Sequence, residues 1–162
     1  MSGDQIEILL VEDDSDDLEL TMHSLSEERA GNRIFVARDG EEALDFLFCR
    51  GAHGGRDPDC RPKLILLDLK LPKVDGLEVL KQLKSDSRTS AVPVVVLTSS
   101  KQERDLVRSY QSGVNSYIQK PVDFDRFRAV VKQLGVYWLR VNEPPPQMAF
   151  HGGTEDAIRS CG

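Results

Sequence analysis

Two continuous aliphatic runs that end in carboxylates constrain this chain more than any other feature. Ile8-Leu9-Leu10-Val11 leads into Glu12-Asp13-Asp14, and Leu64-Ile65-Leu66-Leu67 leads into Asp68. A strand with one wet face alternates apolar and polar residues, so unbroken runs of this kind fit strands buried on both faces of a parallel sheet. In such sheets ligands bind outside the carboxyl ends of the strands, where strand order reverses. The two acid groups therefore meet in one crevice. Carboxylates held a few ångströms apart repel one another, so a site that gathers them suits a bound cation. An all-oxygen donor set favours a hard ion such as Mg²⁺.

The rest of the chain supplies the remaining strand and helix units of an α/β fold. After the first strand (Glu7 to Val11), residues from about Ser15 to Glu28 carry Leu18, Met22 and Leu25 at helical spacing. Arg33 to Ala37 reads as a second strand. Asp39-Gly40-Glu41-Glu42 places a capping aspartate three residues before a glutamate, opening a helix that contains Ala43, Leu44, Leu47 and Phe48. Residues 51–62 are rich in Gly, Pro, Asp and Arg and form a loop longer than the usual connection. Asp75-Gly76-Leu77-Glu78 repeats the capping pattern after the third strand. A fourth strand, Val92 to Leu97, precedes a helix from about Gln102 to Gln111. A fifth, Ser116 to Gln119, precedes a helix that opens at Asp123. Strands alternating with helices imply a doubly wound parallel sheet with right-handed crossovers.

Composition narrows the function classes. A chain of 162 residues is about the size of one domain, and a formal net charge of −6 lacks the basic face that phosphate-driven nucleic-acid binding needs. Cys49, Cys60 and Cys161 are odd in number and form no CxxC pair, which favours neither a disulfide framework nor a zinc site and fits a reducing cytoplasm. No apolar run approaches membrane-spanning length, so no membrane partner is expected. Residues 136–146 continue an apolar segment into Pro144-Pro145-Pro146, and residues 147–162 read as a disordered polar tail.

Glu12-Asp13, Asp68, Thr98-Ser99 and Lys120-Pro121 all fall at the ends of strands. Taken singly, each has an ordinary reading: charges that complement a helix dipole, a turn residue, a helix start, a turn. Their joint placement at one sheet edge is not explained that way, and across residues 6 to 135 the chain resembles the receiver domain of two-component response regulators. The resemblance implies a flavodoxin-like sheet of order 2-1-3-4-5. It also implies that Asp68 accepts a phosphoryl group from a sensor histidine kinase. Asp13 would ligate Mg²⁺ directly, Glu12 through water, and the main-chain carbonyl of Lys70 would join Asp68 in completing the protein ligands. Thr98 and Lys120 would contact the phosphoryl oxygens, with Lys120 aimed inward by a cis peptide to Pro121, and Tyr117 would be the aromatic switch. Such a protein accepts a phosphoryl group and supports its own dephosphorylation but is not a turnover enzyme. The neighbouring Asp14, Asp16 and Asp17 read as dipole-complementing charges, and His23 and His53 as structural or solvent-facing residues.

The extended loop, the Leu66-to-Pro72 stretch and the Tyr137-to-Pro146 extension are similar to those of phytochrome-associated response regulators. With no room after Leu134 for an output module, a stand-alone receiver (residues 1–135) is expected, and the resemblance implies a bacteriophytochrome kinase as its partner. It also implies a homodimer, and the apolar segment with Tyr137, Trp138, Leu139 and Val141 beyond the last helix reads as its interface, the alternative being that the segment folds back on the domain's own core. Two other functions compete. An aspartyl-intermediate phosphatase would need a second carboxylate two residues after Asp68, where Lys70 stands. A degenerate receiver acting as an unphosphorylated scaffold would have no use for the full set of acids, hydroxyl and lysine.

Overall fold

The computed structural model describes residues 6–26 and 33–146. The element order is β1 (Ile8–Val11), α1 (Ser15–Ser26), β2 (Ile34–Ala37), α2 (Gly40–Leu47), β3 (Leu64–Leu67), α3 (Gly76–Ser85), β4 (Val94–Thr98), α4 (Glu103–Gln111), β5 (Ser116–Gln119) and α5 (Phe124–Val136). The five strands form one sheet in the order β2-β1-β3-β4-β5, with every pairing parallel, as the sequence implied. The tail after residue 146, read as disordered, lies outside the described residues, as does the expected end of α1 at Glu28.

The three central strands are buried along their whole length, which accounts for their unbroken aliphatic runs. Each strand divides its side chains between the two faces. Leu9, Val11, Ile65, Leu67, Val94 and Val96 face α2 and α3, where Leu44, Leu47, Leu80 and Leu83 cover them. Ile8, Leu10, Leu64, Leu66, Val95 and Leu97 face α1 and α5, where Leu25, Phe127, Val131 and Leu134 close the second layer. The edge strands β2 and β5 stay half-exposed.

The register sets the site. Val11 pairs with Leu67, so Glu12 and Asp68 leave the sheet side by side. The Asp68 amide donates to the Val11 carbonyl at 3.1 Å, and the Lys120 amide donates to the Thr98 carbonyl at 2.7 Å. The helix starts follow the capping pattern: Asp39 accepts from the Glu42 amide at 2.8 Å and Asp75 from the Glu78 amide at 3.1 Å. Asp14 caps α1, accepting from the amides of Asp16 and Asp17 at 2.9 and 3.0 Å.

Four expectations are corrected. β4 begins at Val94 rather than Val92, because Pro93 has no amide to donate and the Val92 carbonyl is taken by Lys84 Nζ at 2.8 Å. The Lys120–Pro121 peptide is trans, the intrinsically favoured state even for a proline, and the lysine reaches the acids with the bond in that state. Cys60 is disulfide-bonded while Cys49 is free, where the sequence reading favoured no disulfide. The apolar stretch beyond α5 divides. A π-helical turn, Tyr137–Val141, lays Trp138 and Leu139 on the second core layer, while Tyr137 and Val141 stay exposed.

The long loop is tied down rather than free. The Arg56 guanidinium lies 3.6 Å over the Phe46 ring and donates to the carbonyls of Phe46 and Cys60. His53 meets Phe35 and Phe46 edge-on at 5.0 and 5.4 Å, a structural role as expected. No described helix is long and apolar enough to cross a membrane.

Candidate functional site

Three carboxylates gather at the carboxyl ends of β1 and β3. Oxygens of Glu12, Asp13 and Asp68 lie within 4.8 Å of one another, with Glu12 and Asp68 buried and Asp13 exposed. From the end of β5, the Lys120 ammonium enters the cluster and donates to Glu12 Oε2 at 2.7 Å and Asp68 Oδ2 at 3.0 Å. The lysine is itself buried.

One ammonium does not neutralise this many acids. Burial first, and then the Asp68 charge, push the Glu12 carboxyl up to about 7, overriding the lowering by Lys120. Lys120 moves upward despite burial, because Asp17, Glu12 and Asp68 surround its charge. The surplus of buried negative charge and the all-oxygen donors fit a hard divalent cation, and Glu12, Asp13 and Asp68 are the residues that would hold it. The Lys70 amide faces Asp68 Oδ1 at 3.4 Å, so the chain after Asp68 folds back over the acid.

The polar and aromatic partners sit beside the acids. Thr98, fully buried, ends β4 next to Lys120 and accepts from the Ser100 amide at 3.3 Å. Ser100 in turn donates to Asp105 Oδ2 at 2.5 Å, tying the loop to the first turn of α4. The Tyr117 ring packs against the first core layer and its hydroxyl is buried without a hydrogen bond of good geometry. Burial, with smaller contributions from Asp105 and Asp68, pushes that hydroxyl up.

The fold thus brings Glu12, Asp13, Asp68, Thr98, Tyr117 and Lys120 to one edge and leaves Tyr137, Trp138, Leu139 and Val141 outside the cluster. It also brings in Asp17, which sequence reasoning placed among the helix-dipole charges. Asp17 Oδ2 accepts from Lys120 Nζ at 2.8 Å. Its position in the first turn of α1 suits a dipole charge equally well, so only the three-dimensional approach of β5 distinguishes it.

Residues 8–132 match the family model of the response regulator receiver domain. The chain is 44% identical over 150 residues to the Probable methanogenesis regulatory protein FilR2 of Methanothrix harundinacea (89% of this chain, 94% of that protein). It is 39% identical over 132 residues to response regulator Rcp1 of Synechocystis sp. (82% and 88%). Among solved structures, the phosphorylated cyanobacterial phytochrome response regulator RcpA superposes with a TM-score of 0.81 at 38% identity (87% and 99% covered), and the Mn²⁺-bound form of Rcp1 with 0.79 at 38% (85% and 97%). The bacteriophytochrome response regulator AtBRR is 51% identical, with a TM-score of 0.67 (86% and 99%). With the fold, the acidic pocket and the family match in agreement, this chain belongs to the response regulator receiver family.

Proposed function

We propose that Asp68 is the phosphoacceptor of a Mg²⁺-dependent receiver that takes its phosphoryl group from a sensor histidine kinase. The observation that carries this reading is the placement of the buried Asp68 carboxylate 3.0 Å from the Lys120 ammonium and within 4.8 Å of the other acids. An Asp68 oxygen attacks phosphorus, forming the O–P bond of an acyl phosphate as the N–P bond to the kinase histidine breaks. The nucleophile needs no base, because a carboxylate is ionised near neutral pH. What the transfer needs is positive charge and hydrogen-bond donors around the phosphoryl oxygens. A cation held by Glu12, Asp13 and Asp68 would supply part of that positive charge. Lys120 supplies an ammonium and Thr98 a hydroxyl, and the main-chain carbonyl of Lys70 would join the ligand set. Tyr117 and the Thr98–Ser100 loop carry the modification to the α4 face.

A phytochrome-type kinase is the proposed donor, supported by the similarity to RcpA and AtBRR, and homodimerisation through residues 136–146 is the proposed assembly in the cytoplasm. Asp68→Asn abolishes labelling by acetyl phosphate and Mg²⁺ while leaving the circular dichroism spectrum unchanged; continued labelling of that variant overturns the assignment. A phosphotransfer profile across kinases tests the donor, with fastest transfer expected from a phytochrome kinase and overturned by transfer from other kinases only.

A further inference from the structure

The Lys120 ammonium has three protons and three carboxylate acceptors: Glu12 at 2.7 Å, Asp17 at 2.8 Å and Asp68 at 3.0 Å. On the phosphoacceptor reading above, the same ammonium must also serve the phosphoryl oxygens, so one of its three partners has to yield. The partners differ in what release costs. The Glu12 and Asp68 side chains are 5% and 8% exposed, whereas that of Asp17 is 33% exposed. A buried carboxylate stripped of its donor bears the full desolvation penalty, while one at the rim is solvated by water as it lets go. Glu12 and Asp68 would also have a bound cation to turn to, and Asp17 is outside that donor group.

We infer that Asp17 is a positioning residue that holds the Lys120 ammonium toward α1 before transfer and gives it up to the phosphoryl group afterwards. The Lys120–Asp17 contact therefore stabilises the unmodified protein relative to the phosphorylated one. Removing it moves the balance toward the modified form, the reverse of what loss of a supporting contact does. Asp16, exposed in the same turn, is not among the ion-pair partners of Lys120 and carries the same charge, so it separates a specific contact from a general field.

The test uses the full chain. In the metal-free protein, NMR of the Lys120 ammonium protons shows exchange accelerated by about tenfold in Asp17→Asn and unchanged in Asp16→Asn. With Mg²⁺ saturating, calorimetric titration of BeF₃⁻ as the phosphoryl mimic shows binding about fivefold tighter in Asp17→Asn than in wild type, the weight of one partly exposed ion pair. Mg²⁺ binding by the same variant at near wild-type affinity shows that the pocket is folded. Equal or weaker BeF₃⁻ binding by Asp17→Asn overturns the inference, as does an equal gain in Asp16→Asn. A wild-type protein that binds no BeF₃⁻ removes the phosphoacceptor reading and this inference together, whereas normal wild-type binding with an unresponsive Asp17→Asn removes the inference alone.

Discussion

Glu12 is the residue on which the resting site is most strained. Its carboxyl is pushed up to about 7 from the usual range, chiefly by burial. A native pKa above the unfolded one means the folded protein binds the proton more tightly. The Glu12 contribution to stability is therefore fully present below about pH 4.5 and is lost as pH rises through about 7. In the metal-free protein, Glu12→Gln is expected to raise unfolding free energy at pH 8 by on the order of 2 kcal/mol and to change it little at pH 5. Urea titrations at the two pH values check this. At this scale the sequence showed the acids, the hydroxyl and the lysine because they end strands, and strand ends are readable from apolar runs. Asp17 was hidden because a carboxylate in the first turn of a helix already has a sufficient local reason to be there.

At the scale of elements, α2 and α3 both begin with a glycine pressed against the segment that follows β3. A Cβ on Gly76 would overlap the Asp68 carbonyl oxygen and Leu69 Cα, and one on Gly40 would overlap the Val74 carbonyl. The Gly76 amide donates to the Leu69 carbonyl at 2.8 Å, so the start of α3 is what fixes the backbone beside Asp68, the proposed phosphoacceptor. Gly76→Ala is expected to cost about 2–4 kcal/mol in urea unfolding and to slow labelling by acetyl phosphate, since relieving the overlap displaces residue 68. Labelling at the wild-type rate would show that the segment adapts without moving the acid. The caps at Asp39 and Asp75 were legible from their spacing to Glu42 and Glu78. The close approach of the two glycines was not, because it depends on how near the helices sit to a loop, and local sequence does not encode that distance.

For the whole molecule, two-sided helix cover was legible because β1, β3 and β4 have no polar face to show, whereas the strand order followed only from the family resemblance. The segment after α5 was legible only in part. Apolar residues there could be covered by the chain's own core or by another copy, and hydrophobicity is the same for both destinations. Trp138 and Leu139 take the first course, whereas Tyr137 and Val141, at 49% and 61% exposure, are left for the second. Replacing both Tyr137 and Val141 by Ser is therefore expected to shift the proposed dimer toward monomer in light scattering with the thermal midpoint little changed. An unaltered dimer would place the interface elsewhere.

Pro144, Pro145 and Pro146 line a narrow cleft with Arg61, Pro62, Lys63 and Val92, residues that precede β3 and β4. That cleft is at the amino ends of the strands, the pole away from Asp68. A fluorescent reporter or surface linker attached directly after residue 146 would start out on the side of the molecule away from Asp68, where the proposed kinase histidine would have to reach.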